Sequence, residues 1–169
     1  MSDIFIRYAA PADFDAIVAL NEAAVQHTSA MDVQRLQNLH ALSAYHKVAT
    51  VDGQVAAFLL AMRENAPYPN DNYGFFAARY ARFLYVDRIV VDPSYAGLKL
   101  GTLLYRDLFD YARAQAVPVI TCEYNIEPPN EPSRRFHERF GFSEVGTQWL
   151  DGGRKRVSLQ AAEIPNNIA

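Results

Sequence analysis

The chain has 169 residues, enough for one ordinary domain with a substantial core, and half of them are hydrophobic. A net charge of −3 without clustered Lys and Arg gives no footprint for nucleic acid, and the single cysteine, Cys122, excludes a disulfide framework or a cysteine-based metal site. The opening residues lack a signal-peptide pattern and no apolar run is long enough to span a bilayer, so a cytoplasmic protein that binds no membrane is expected.

Ile4–Tyr8 reads as a first strand. A helix is expected from Pro11 or Ala12, with Asp13 and Asp15 in its first turn, where the helix dipole favours them. Phe14, Ile17, Val18 and Val25 recur at helical spacing, and His27-Thr28-Ser29 break the pattern. Asp32 is an N-cap candidate for a second helix carrying Leu36, Leu39 and Leu42. Tyr45–Val51 and Gln54–Met62 flank Asp52-Gly53, a clear hairpin signal. From Arg63 to Arg82 the sequence reads as a long polar loop, with Pro67, Pro69, Asn70, Asp71 and Asn72, that turns aromatic at Tyr73, Phe75, Phe76 and Tyr80.

Phe83–Val91 reads as a strong strand ended by Asp92-Pro93, because proline cannot donate to the ladder. Leu98–Gln115 is a helix with Leu100, Leu103, Leu104, Leu108 and Tyr111 as its apolar stripe. Pro118–Tyr124 is another strand. Pro129 or Asn130 opens a short helix that closes at Gly141, a left-handed terminator. Phe142–Leu150 and Arg154–Leu159 form a last hairpin around Asp151-Gly152-Gly153. Residues 163–169 read as a loose tail after a single domain of residues 1–162. The order predicts an α/β fold, a mixed and mostly antiparallel sheet. Phe83 to Tyr124 forms its one parallel strand-helix-strand unit, with a right-handed crossover.

That unit contains the most informative turn. A buried strand ends at Val91, and Asp92-Pro93-Ser94-Tyr95-Ala96-Gly97-Leu98-Lys99-Leu100-Gly101-Thr102 leads directly into a helix. The free amides and positive dipole end of a first helical turn attract phosphate. Gly97 and Gly101 let a ligand approach the backbone, and Lys99 can add charge. The order is not that of a P-loop or a dinucleotide fold, and two glycines alone also fit an ordinary strand-to-helix turn.

Here the sequence resembles the GNAT superfamily of acetyl-CoA-dependent N-acyltransferases. Its central motif is a strand ending in Val-x-Pro followed by Gln/Arg-x-x-Gly-x-Gly/Ala at the helix start. The chain has Val91-Asp92-Pro93 and then Ala96-Gly97-Leu98-Lys99-Leu100-Gly101. Ala96 replaces the usual Gln or Arg, and Lys99 the middle glycine. The later motif, Asn-x-x-Ala-x-x-(apolar)-Tyr with a closing Gly-Phe, is matched in spacing by Asn130-Glu131-Pro132-Ser133-Arg134-Arg135-Phe136-His137 and Gly141-Phe142.

The resemblance implies acetyl-CoA as cofactor, lying where a central pair of parallel strands splays apart. The backbone of Ile89, Val90 and Val91 is expected to pair with the pantetheine arm. The turn from Ala96 and Gly97 through Leu98, Lys99, Leu100, Gly101 and Thr102 is expected to hold the pyrophosphate by its amides. Asn125, Asn130, Ser133 and Phe136 complete the expected cofactor contacts.

The reaction is attack of a neutral amine on a thioester, which calls for a base and for a proton to the leaving thiolate. Asp87 reads either as that base or as half of a structural salt bridge with Arg88 or Arg82; Glu123 is the alternate base. His137 stands where the family has the tyrosine that is its usual general acid. It reads as an imidazolium acid or as a surface residue, with Tyr124 or a water taking the part. The acceptor cleft is expected along residues 27–31 and 63–82. His27, Tyr73, Phe75 and Tyr80 are the candidate contacts, and core packing is the alternative for the aromatics. The expected function is acetyl transfer to a primary amine of a small molecule or peptide; a non-catalytic acyl-CoA-binding module is the alternative. A homodimer is a further expectation from the family.

Overall fold

Local chemistry accounts for most of the elements in the computed structural model, which describes residues 2–165. Strand β1 (Ile4–Tyr8) leads into a single 3-10 turn at Pro11–Asp13, where the Asp13 carboxylate accepts from the Ala10 amide at 2.8 Å. Helix α1 (Phe14–Ala23) follows. It ends before Val25, which is exposed rather than part of the apolar stripe. Asp32 caps α2 (Val33–Leu42) by accepting from the Arg35 amide at 2.7 Å. Strands β2 (Tyr45–Val51) and β3 (Gln54–Arg63) close as an antiparallel hairpin. Asp52 and Gly53 at its tip have φ of 50° and 84°, as a tight hairpin turn requires.

Residues 63–82 are not one long loop. Asp71–Arg79 form helix α3, capped by Asn70, whose side chain accepts from the Tyr73 amide at 3.0 Å. The polar, proline-bearing run before it masked the helix. The signal was Asn70 as N-cap with Tyr73 and Phe76 three residues apart, and both of these are buried.

Strand β4 (Leu84–Val91) ends at a 3-10 turn, Pro93–Tyr95, and leads to α4 (Leu100–Ala114). Strand β5 (Val119–Glu127) runs three residues beyond the expected Tyr124. Helix α5 (Glu131–Glu138) is capped by Asn130 and closed by Gly141 at φ 85°. Strands β6 (Ser143–Leu150) and β7 (Lys155–Glu163) form the last antiparallel hairpin. Ile164 follows β7 as a buried residue whose amide donates to Pro118 O at 2.9 Å. Of the tail expected over 163–169, residues 166–169 lie outside the described residues.

The strand order is β1-β2-β3-β4-β5-β7-β6. All pairs with a described register are antiparallel except β4 and β5, whose parallel register is Leu84↔Ile120 and Tyr85↔Thr121. The mixed, mostly antiparallel α/β fold expected from the sequence is the one observed.

The chain divides into two compact units. The first comprises the residues up to Met62 together with Asp87–Asp110; the second comprises Arg63–Val86 and the residues from Tyr111 onward. In the first, Ile17, Leu36, Leu39, Phe58 and Leu104 have no measurable exposure. In the second, Phe76, Phe83, Tyr85, Ile120 and Leu159 are equally sealed. Each such side chain contributes about 1.5–3 kcal/mol by leaving water.

Candidate active site

The turn after β4 is shaped by its backbone. Asp92 donates its amide to Ala56 O at 2.8 Å, and its side chain accepts from the Ser94 amide at 2.9 Å, which starts the 3-10 turn. Ala96 N donates to Pro93 O at 3.1 Å and Leu98 N to Tyr95 O at 3.2 Å. The next intrachain bond is Leu103 N to Lys99 O at 3.0 Å. The amides of Leu100, Gly101 and Thr102 therefore occupy the open first turn of α4. Leu98, expected among the anion-holding amides, instead spends its N–H inside the turn.

Gly97 and Lys99 both have left-handed backbone, with φ of 95° and 57°. A Cβ on Gly97 would meet nothing within 4 Å, so conformation, and not crowding, selects glycine there. Lys99 is exposed and adopts the left-handed conformation at a cost of roughly 1 kcal/mol. Ile89, Val90 and Val91 are the last residues of β4, with Val90 buried and its two neighbours half-buried.

Asp87, also on β4, is held by its neighbour: Arg88 Nε donates to Asp87 Oδ2 at 2.7 Å, and the two side chains are 4% and 3% exposed. This is the structural ion pair that stood as the alternative to a base. Arg88 reaches further still. Its Nη1 donates to Asn21 Oδ1 and to Ser29 O, both at 3.0 Å, and its Nη2 to Ser29 Oγ at 2.9 Å. In the sequence Arg88 stood only as a salt-bridge partner for Asp87.

In the second unit, Glu123 on β5 accepts from the Tyr85 hydroxyl at 2.8 Å. Tyr124, next along β5, is buried, and burial pushes its phenol pKa up, so the hydroxyl stays protonated at neutral pH. Asn125 is buried, and its carbonyl accepts from the Asn130 amide at 3.0 Å. The Asn130 side chain accepts from the Ser133 amide at 3.4 Å as the cap of α5. Phe136 packs edge-on to His137 with ring centroids 5.4 Å apart.

His137 is not a surface residue. It is 5% exposed and surrounded by the rings of Tyr124, Phe136 and Phe142 at 5.3–5.6 Å. Its Nδ1–H donates to Ser133 O at 2.7 Å, with Ser133 Oγ 3.2 Å from the same nitrogen. Burial lowers its pKa, so the neutral ring is favoured at pH 7 over the imidazolium that acid catalysis would use.

The acceptor candidates separate. Tyr73 is a core residue: its hydroxyl donates to Arg63 O at 2.7 Å and accepts from the Ala66 amide at 3.0 Å, and its ring packs on Tyr68, Phe83 and Tyr85. Phe75 and Tyr80 are half-buried; Tyr80 stacks on Phe76, and Phe75 lies against the backbone of Gly146, where an added Cβ would meet its ring at 2.8 Å. His27 is exposed at the end of α1 in the first unit.

The model of the Acetyltransferase (GNAT) family matches residues 13–142, a span that contains β4, the left-handed turn and α5. The chain belongs to that family. A phosphinothricin N-acetyltransferase of Streptomyces coelicolor is 42% identical over 67 residues, which are 40% of this chain. The match spans 37% of that relative's length. Among solved structures, Ard1 from Thermoplasma volcanium superposes with a TM-score of 0.79 at 15% identity, covering 96% of this chain and 99% of that one. The putative acetyltransferase yncA of Salmonella typhimurium, solved with its cofactor acetyl-CoA, gives 0.73 at 23% identity over 99% and 97%. Both likenesses show a GNAT fold.

Membership gives meaning to the two departures from the motif. Lys99 stands at a glycine position of the family pattern, and its φ of 57° shows why the pattern has glycine there. His137 takes the tyrosine position but faces the protein interior, with its Nδ1–H donated to Ser133 O. Among the described residues no group of three His, Cys, Asp or Glu side chains is placed to hold a metal, and no helix is long and apolar enough to cross a membrane.

Proposed function

We propose that the chain transfers the acetyl group of acetyl-CoA to the primary amine of a small molecule or peptide in the cytoplasm. The observation that carries this reading is the turn after β4: two left-handed residues deliver three first-turn amides, Leu100, Gly101 and Thr102, at the N-terminus of a fifteen-residue helix inside the family match. Such an arrangement suits a diphosphate. The residues fit the cofactor: the amides take its pyrophosphate, and the backbone of Ile89–Val91 takes its pantetheine arm. Acetyl-CoA supplies the thioester that the amine attacks.

The groups of this chain divide the proton work. Glu123 faces a neutral phenol, while Asp87 faces a guanidinium. The Asp87 carboxylate is occupied by its ion pair with Arg88, so Glu123 takes the amine's proton. Tyr124, kept protonated by burial, donates to the departing thiolate. His137 holds the first turn of α5 through Ser133. His27, on the exposed segment after α1, contributes an acceptor contact, and the short match to the phosphinothricin N-acetyltransferase favours a small amino-acid-like amine.

A thiol-release assay with acetyl-CoA and a panel of phosphinothricin, glycine, spermidine and an alanyl peptide tests the proposal. The expected result is saturable release of CoA with at least one amine, lost in Tyr124→Phe and Glu123→Gln while acetyl-CoA still binds. Saturable acetyl-CoA binding without release on any amine would favour the non-catalytic module instead.

A further inference from the structure

The buried Arg88 cluster belongs to no part of the chemistry described so far. A guanidinium that is 4% exposed is costly unless every donor is used. Here the head group is shared among an acid and two polar residues of another segment, 59 and 67 positions away in sequence. Asp87 neutralises it. Asn21, the last buried residue of α1, accepts from Nη1 and donates its own Nδ2 to Ser29 O at 2.8 Å. Ser29 O thus accepts from both Asn21 and Arg88, and Ser29 Oγ takes the remaining bond.

The consequence is mechanical. Residues 24–30 have no regular structure after α1, and His27, Ser29 and Ala30 are exposed. A segment of that kind normally moves, since it has little buried apolar surface to hold it. Two of the four bonds of Arg88, both to Ser29, fasten it to β4, the strand whose last residues carry the proposed cofactor contacts, and a third ties β4 to Asn21 in α1. Lysine cannot do this, because a point charge on a flexible stem lacks the planar fork that meets Asp87, Asn21 and Ser29 together.

We infer that Arg88 is a positioning residue for the acceptor amine: it locks residues 27–31 in one place on β4, and so presets the acceptor side of the site without touching the cofactor. The inference rests on the proposed acetyl transfer for its kinetic part. Ser29→Ala removes one bond and leaves the Asp87–Arg88 pair intact; Arg88→Lys keeps the charge and loses the fork.

The test combines kinetics on the best amine of the panel, acetyl-CoA affinity by calorimetry, and hydrogen exchange of residues 24–31. For Arg88→Lys the acceptor KM rises about tenfold, and for Ser29→Ala about threefold, with kcat and acetyl-CoA Kd within twofold of wild type. Exchange of the segment quickens by about tenfold in Arg88→Lys. A merely structural role would lower the melting temperature and leave KM and kcat of the folded enzyme unchanged. Unchanged KM in both variants overturns the inference, and so does unchanged exchange. Wild-type protein that binds acetyl-CoA and acetylates none of the panel overturns the proposed function and the acceptor role of Arg88 with it; the exchange result then decides the fastening alone.

Discussion

The two units build their candidate groups from different materials. In the first, the features proposed to face the cofactor are backbone: left-handed Gly97 and Lys99, and the first-turn amides of α4. The charged side chains nearby, Asp87 and Arg88, are buried and spent on each other and on α1. In the second, the candidate groups are side chains: Glu123 under a tyrosine hydroxyl, Tyr124 raised by burial, and His137 packed among aromatic rings. The difference teaches that the first unit tolerates side-chain substitution where only amides matter and resists it where a buried charge needs its partner. Conservative substitution in the second unit is expected to keep the fold and to lose the proposed chemistry.

Removing Asp87 breaks this contrast most sharply. Asp87→Ala leaves a buried guanidinium unpaired, and we expect a loss of about 3–5 kcal/mol of stability in urea unfolding. A general base that is dispensable for folding would instead give a stable, inactive protein. Acid comes next. Burial, with His40 beside it, holds His46 in the first unit down at about 4, and His137 in the second is also lowered. Because both folded pKa values lie below the unfolded value, their contribution is complete above pH 6.5. It is lost as pH falls, through about 4 for His46. The His46 part amounts to roughly 3 kcal/mol, or a fall of about 6–12 °C in melting temperature between pH 7 and pH 4.

Glu123→Gln should lower kcat about a hundredfold with the melting temperature preserved, and His137→Phe should leave kcat within about threefold. The reverse ranking would return the acid role to His137. The smallest effect sharpens the backbone side of the comparison. Lys99→Gly relieves the left-handed strain and should raise stability by about 1 kcal/mol while changing acetyl-CoA affinity less than about threefold. A larger loss of affinity would show that the Lys99 ammonium, and not the amides, carries the anion.

Sequence patterns exposed the local parts of this molecule and concealed the tertiary ones. The hairpin at Asp52-Gly53, the Asp32 cap and the Gly141 terminator follow from chemistry within a few residues, and each stands where expected. Helix α3 was hidden because Pro67, Pro69 and the following polar residues read as loop, although Asn70 and its partner Tyr73 carried the signal. Strand β5 outran its expected end because its pairing with β7, as far as Glu127↔Arg156, lies in a distant partner. The role of Arg88 depends on Asn21 and Ser29, and no spacing rule brings those together. The burial of His137 needed the rings of Tyr124 and Phe142 around it, which is again a matter of packing.

The claim that the α4 amides hold a diphosphate is tested most directly by titrating the wild-type protein and Gly101→Asp with acetyl-CoA and with S-acetylpantetheine, which lacks the diphosphate. An aspartate in a first helical turn favours the helix and repels phosphate, so loss of binding would not be loss of fold. Wild-type protein should bind acetyl-CoA about a hundredfold tighter than S-acetylpantetheine, and Gly101→Asp should erase most of that gap. Equal affinity of the wild-type chain for the two thioesters, or a gap untouched by Gly101→Asp, would contradict the account.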